Sequence, residues 1–450
     1  MARVWVMFTL RRYKAGIRRN AANTGFFGAW VGRMVSGGQG ADKLRYFSRL
    51  ATVKTHLKRW ASGQPPFTRL QRALTVAGVG PALLMGCAVH GNSARSALYL
   101  PALNLQSILT GTPAPAPQAA PAPRALAAQI DALVRNFGGT AGIAITSVED
   151  GWTAETNGAL KLPQQSVSKL WVTMTVLDAV DRGRIRLEDQ ITITSADFTL
   201  FHQPVASLVK DGVGYTATVG EIIRRAMQMS DNTCNDKLLR LVGGPDAVRA
   251  FIAKKGLGEI RFGPGEKLLQ AGTAGLEWKP EYSMGNAFAI ARSRLAPAVR
   301  RAAFDAYVGD PPDGAAPEAI ANALARLSRG ELLSPNSTAW LMETMAGART
   351  GRARVHGAVP PGWHYAHKTG TGQDLGGRTA GFNDVGILTA PDGRSYSLAV
   401  MIGDSSRPIR ERQLLMQAVA TTIVANHASV LRAAAVQDNA DPAWKAFVSR

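Results

Sequence analysis

Gln165-Ser166-Val167-Ser168-Lys169-Leu170-Trp171-Val172 opens an apolar run that continues to about Asp181. A polar entry followed by unbroken hydrophobicity predicts a buried helix with Ser166 in its first turn. Residues three apart share a helix face, so Ser166 and Lys169 are expected side by side. The helix N-terminus adds free N–H groups and a positive dipole end beside the serine. An alcohol is a poor nucleophile until a base takes its proton, and a desolvated lysine at this spacing can act as that base.

Working outward, the segment after Ser166 is mainly helical to about Gly330. Before it, a helix is expected at about 125–137, then two strands, Ala141–Ser147 and Trp152–Glu155, around the turn Glu149-Asp150-Gly151. After it, Ser334-Pro335-Asn336-Ser337 caps a helix running to about Met345. Strands follow at about 363–371, 380–389 and 396–403, the last two joined at Pro391-Asp392-Gly393, and a helix closes the body at about 408–434. Strands at both ends with helices between imply an α+β fold. Its five-stranded antiparallel sheet is built from both ends of the body and packed with a helical lobe.

Two further motifs follow Ser166 in order: Ser230-Asp231-Asn232 where a helical pattern meets a polar break, and Lys368-Thr369-Gly370 on a strand. Ser-x-x-Lys, Ser-Asp-Asn and Lys-Thr-Gly in this order form a set used by β-lactam-reactive serine enzymes. The body, roughly 125–435, resembles a class A β-lactamase or a related serine hydrolase of the penicillin-binding superfamily. The resemblance implies an acylated Ser166, with Lys169 against it and Lys368 as a second cation. It makes Ser230 the relay that protonates the departing ring nitrogen. Asn232, Lys368, Thr369, Gly370 and Thr371 would hold substrate, and the N–H groups of Ser166 and Thr371 would form an oxyanion hole. Arg378 is either a further carboxylate contact or a solvated strand-end arginine. For the water-activating base, a gapless count from Ser230 passes the turn Gly243-Gly244-Pro245 and lands on Glu266. The rival register uses Trp278-Lys279-Pro280-Glu281 and leaves lysine at the key place. Glu266 is the expected base. The 264–316 stretch is longer than the corresponding family loop and is expected to be a lid or insertion.

The chain has 450 residues and a formal net charge of +20. Residues 1–73 hold 15 of the 52 basic residues but only Asp42 of the 32 acidic ones, so the basicity is largely an N-terminal arm. That arm runs into the apolar stretch 73–89, which favours a membrane role over nucleic-acid binding. The expected division is a basic arm (1–66), a signal, lipoprotein or membrane-anchor segment (67–89), a linker rich in Pro and Ala (90–124) and a catalytic body (125–450). Leu84-Met85-Gly86-Cys87 resembles a lipoprotein cleavage box, making Cys87 a lipidation candidate. Two cysteines exclude a disulfide framework, and Cys234 reads as a buried core thiol. His364-x-x-His367 on a strand places its two rings on opposite faces, so neither metal nor cofactor is expected. The expectation is a periplasmic monomer acting on a β-lactam or a peptidoglycan stem peptide.

Overall fold

The computed structural model describes residues 121–440, which fall within one compact unit. Residues 1–120, including the candidate lipidation residue Cys87, lie outside the described residues. The chain enters through α1 (Arg124–Phe137), closed by Gly138 in the left-handed conformation, and forms β1 (Ala141–Ser147) and β2 (Thr153–Thr156). A short strand β3 (Leu162–Pro163) leads to a 3-10 turn at Gln165–Ser168 and then α2 (Lys169–Asp181). The helical lobe holds β4 (Gln190–Ile193), β5 (Tyr215–Thr218), α3 (Val219–Gln228), α4 (Asn232–Leu241), α5 (Pro245–Lys255), α6 (Glu266–Thr273), α7 (Ala287–Arg294) and α8 (Pro297–Gly309). It continues through β6 (Gly314–Ala315), α9 (Pro317–Ser328) and α10 (Pro335–Ala346). The chain then returns to the main sheet with β7 (His364–Thr371), β8 (Asp374–Leu375), β9 (Arg378–Thr389) and β10 (Ser395–Ser405), and ends in α11 (Ile409–Ala440).

The main sheet runs β2-β1-β10-β9-β7, with the two-residue β8 added against β9. β1 from the start of the body pairs antiparallel with β10 from its end, Ala141 opposite Ile402 and Ser147 opposite Tyr396. The expected five strands are therefore present, with β8 as an addition. The middle of the chain is less purely helical than its pattern suggested. β4 pairs with β5, and β3 with β6, in two small separate sheets.

One face of the main sheet packs on the lobe. Leu170, Trp171, Met174, Leu177, Ile222, Leu238 and Leu324 are fully or almost fully buried there with Val385 and Met401. α2 is buried nearly all round, from Lys169 to Ala179, which is why its sequence shows no polar stripe. The other face carries α1 and α11 through Leu126, Ile130, Met416, Val419 and Ile423. Among the described residues, 409–432 form a helix long and apolar enough to cross a membrane. Its apolar stripe is buried on the sheet.

Candidate active site

Ser166 does not sit in the first turn of the α-helix, as its pattern suggested, but in the tighter 3-10 turn just before it. The turn is pinned from β9, where Asn383 Nδ2 donates to Pro163 O at 2.8 Å and Gln164 O at 3.0 Å. The Gln164 amide is also fully used, donating to Arg261 O and Asp313 O while accepting from the Trp171 indole at 2.6 Å. Lys169, the first residue of α2, lies fully buried with Nζ 2.7 Å from Ser166 Oγ and 2.9 Å from Asn232 Oδ1. It is also ion-paired to the buried carboxylate of Glu266. Three distant stretches therefore meet on one ammonium group.

The Ser230-Asp231-Asn232 corner joins α3 to α4. Ser230 has φ +60°, a conformation uncommon outside glycine. Asp231 fixes the corner: Oδ1 caps α4 by accepting from Cys234 N (2.9 Å), and Oδ2 accepts from Val205 N (2.7 Å). Asn232 Nδ2 donates to Leu200 O at 2.8 Å, which uses one of its two hydrogens. Lys368, on β7, is buried and donates to Ser230 Oγ at 2.9 Å and to Thr369 O at 2.8 Å. Burial, with Lys169 and Arg354 nearby, pushes its pKa well below the ordinary lysine range. Gly370 is required for close approach, since a Cβ there would lie 2.3 Å from Gln164 O.

Glu266 begins α6, and its second oxygen accepts from Gln270 Nε2 at 3.3 Å. Asp236 of α4 accepts from the N–H groups of Glu266 (3.0 Å) and Lys267 (3.3 Å), capping the helix that carries the carboxylate. Gly265 turns the chain there with φ +97°, and a Cβ on it would press on Leu239 at 3.0 Å. Among the described residues, Asp236 has no hydrogen-bonded cation. Burial first, then the Glu266 charge, raise its pKa to about 6.

Ser166, Ser230, Asn232, Thr369 and Thr371 line one cleft of about 410 Å³. Arg354, Gln270 and Gln373 line it too, and sequence reasoning missed them. Arg354 donates to Gly370 O (2.8 Å), Asn383 O (2.5 Å) and Thr371 Oγ1 (2.5 Å), and its guanidinium lies 3.8 Å from the Phe382 ring centre. Burial pushes its pKa down to about 10.

With this geometry in place, comparison with known proteins shows a match to the beta-lactamase enzyme family over residues 125–427. The chain belongs to that family. It is 29% identical over 296 residues to the extended-spectrum beta-lactamase PER-1 of Pseudomonas aeruginosa, covering 65% of this chain and 84% of that protein. Against beta-lactamase VEB-1 of the same organism it is 26% identical over 281 residues, covering 62% and 83%. Among solved structures it resembles the TLA-3 extended-spectrum beta-lactamase (TM-score 0.55, 26% identity, 66% of this chain and 96% of that one). It also resembles an ancestral class A beta-lactamase (TM-score 0.53, 28% identity, 67% and 99%). The protein is a class A β-lactamase-like serine hydrolase with an α+β fold.

Within this β-lactamase fold, the other residues singled out in the sequence take varied positions. Arg378 does not line the cleft. Its guanidinium is held by Asp404 (Nη2 to Oδ2 2.5 Å) and Asp305 (Nη1 to Oδ1 2.7 Å), so two carboxylates direct it away. Lys279, which the rival register would put at the key place, is exposed just before the 3-10 turn Pro280–Ser283. The 264–316 stretch is largely α6, α7 and α8, packed into the body through Leu269, Phe304 and Tyr307. His202 lines the cleft as well, and its carbonyl accepts from Asn232 N at 2.9 Å. His364 is exposed while His367 is buried against Asp384 at 2.7 Å. Cys234 is fully buried and unpaired, and burial raises its thiol pKa far from thiolate chemistry.

Proposed function

We propose that the protein hydrolyses β-lactam-like cyclic amides through an acyl-enzyme on Ser166. The observation that carries this reading is Lys169, 2.7 Å from Ser166 Oγ and paired with the Glu266 carboxylate. Ser166 Oγ attacks the carbonyl carbon, and its proton passes to the Lys169–Glu266 pair, where the carboxylate provides the acceptor. The N–H groups of Ser166 and Thr371 receive the developing oxyanion. The carbon–nitrogen bond breaks as Ser230 protonates the leaving nitrogen, and Lys368, 2.9 Å from Ser230 Oγ, restores that proton. The proton on the Lys169–Glu266 pair replenishes Lys368, leaving Glu266 a carboxylate again. Glu266 then takes a proton from water as the hydroxide adds to the ester carbonyl, and returns it to Ser166 Oγ as the acyl–oxygen bond breaks. Arg354 and Thr371 offer a cationic and a hydroxyl contact for a substrate carboxylate.

The test is an intact-mass time course with a chromogenic cephalosporin. The unmutated protein is expected to turn over many equivalents. Glu266→Gln leaves Lys169, 2.7 Å from Ser166 Oγ, as the remaining acceptor for the serine proton, and is expected to acylate more slowly but accumulate a stable adduct one acyl group heavier on Ser166. A single stoichiometric burst from the unmutated protein would instead assign it to the peptidoglycan D-Ala-D-Ala carboxypeptidase and transpeptidase class. Absence of any Ser166 adduct with a β-lactam or a fluorophosphonate would make it a non-catalytic binding protein. The basic and apolar character of 1–89 supports a periplasmic location with a signal or anchor at 67–89. Mass analysis of the N-terminus of protein purified from membranes tests that, together with the lipid on Cys87.

A further inference from the structure

Gln165, the residue before Ser166, has φ +54°, in the left-handed region that a residue with a Cβ disfavours. Its N–H donates to Asp313 Oδ2 at 2.8 Å. Its side-chain Nε2 donates to the Tyr307 hydroxyl at 2.5 Å and to Ala380 O at 3.2 Å. The Tyr307 O–H in turn donates to Asp313 Oδ1 at 3.0 Å. These contacts close a buried ring around the strained residue: Gln165 is 1% exposed, Tyr307 5% and Asp313 1%. Tyr307 comes from α8 and Asp313 from the loop after it, both within the long 264–316 stretch. On its other side Gln165 Oε1 accepts from Gln270 Nε2 at 3.0 Å, and the same amide nitrogen touches Glu266. One glutamine thus sits between the ring and the carboxylate proposed as base.

We propose that Tyr307 and Asp313 are positioning residues that hold Gln165 in its left-handed turn and so aim the Ser166 hydroxyl and N–H, making α8 and its return loop a brace for the nucleophile. This rests on the reading of Ser166 as the acylated residue. A backbone rotation at Gln165 swings the next residue directly, and a misplacement of about 1 Å at a reacting atom can cost about a hundredfold in rate. The brace acts on acylation, the step in which Ser166 Oγ attacks. Asp313 is faced by Tyr307 from α8, by Gln165 from the nucleophile turn and by the Glu266 charge from α6, while Arg261 on the neighbouring segment is engaged with Asp310. Burial raises the Asp313 pKa to about 6, and the Tyr307 hydrogen bond opposes that rise. Removing the hydroxyl therefore moves the acid limb of acylation to higher pH, which loss of packing alone does not do.

Acylation and deacylation rate constants are measured separately by rapid-quench mass spectrometry with a cephalosporin, for the unmutated protein, Tyr307→Phe, Gln165→Gly and the double variant. Tyr307→Phe is expected to lower the second-order acylation constant about tenfold, with a smaller change in deacylation, and to shift the acid limb upward. Glycine adopts the left-handed turn without a Cβ penalty and lacks the amide that Tyr307 holds. The double variant is therefore expected to acylate no more slowly than Gln165→Gly. Acylation by Tyr307→Phe within twofold of the unmutated protein, or losses that multiply in the double variant, would overturn the brace and leave the hydrolase reading standing. Failure of the unmutated protein to acylate at all would remove both. Where Tyr307→Phe does not fold, Gln165→Gly is compared with Gln165→Ala. Faster acylation by the glycine variant supports the brace, and equal rates overturn it.

Discussion

At the scale of single residues, the site is a set of buried charges with few spare partners. Removing Lys169 leaves the Glu266 carboxylate buried without its cation. Lys169→Ala is therefore expected to cost about 3–5 kcal/mol of stability, in addition to any loss of acylation. Denaturant unfolding checks the first and the mass time course the second. Arg354→Lys keeps the charge but cannot reproduce three donors in one plane to Gly370 O, Asn383 O and Thr371 Oγ1. Steady-state kinetics are expected to show KM for a carboxylate-bearing β-lactam rising about tenfold with a smaller change in kcat, since one charge-assisted contact is worth about 1.5–3 kcal/mol. These two residues also show what a sequence discloses. Ser166 and Lys169 meet because they are three apart in a helical run, a local relation that spacing reveals. The partners of Arg354 lie on strands 16 and 29 residues away, and only the completed sheet brings them to it. No local pattern marks that arginine. Gln165 was equally silent, because its backbone angle is imposed by Asp313 from far along the chain.

At the scale of elements, α6 is the working part. It begins with Glu266, is turned by Gly265 and is capped by Asp236. Asp236 and Asp313 both have pKa values raised to about 6, so each is ionised above that pH and protonated below it. Protonation weakens Asp236 as an acceptor for the two N–H groups at the start of α6. Turnover is thus expected to be present above about pH 6 and to fall as pH drops through it, with an acid limb shared by the two carboxyls. Asp236→Asn no longer titrates, so a kcat profile of that variant is expected to show a shallower limb. A limb of unchanged steepness would exclude Asp236. In the apolar lobe, Leu170→Ala in α2 is expected to lower unfolding free energy by about 2–5 kcal/mol. α2 and the main strands were readable because continuous apolar runs and alternation survive in sequence. α7 and α8 were read only as a long insertion. They mix alanine with arginine and present little apolar face: Phe288 in one and Phe304 and Tyr307 in the other are their buried residues.

For the whole molecule, a six-stranded sheet stands between a helical lobe on one face and α1 with α11 on the other. Leu415, Met416, Val419 and Ile423 of α11 are almost fully buried there, and each such side chain contributes about 1.5–3 kcal/mol. Deleting everything after Ser405 removes a sum comparable with the usual stability of a domain, about 5–15 kcal/mol, and is expected to give a chain without a cooperative melting transition by circular dichroism. The α+β class was legible from the placement of strands at both ends of the body. The strand order was not, because pairing between distant segments leaves no trace in the spacing of either.

The pairing of β1 with β10 also bears on when the protein can mature. Ala141 and its partner Ile402 stand at opposite ends of the catalytic body, so the central ladder is a contact of high sequence separation, which loop closure makes slow to form. With its central ladder drawn from segments so distant, the protein is expected to complete the crevice between sheet and lobe late in folding rather than in advance of it.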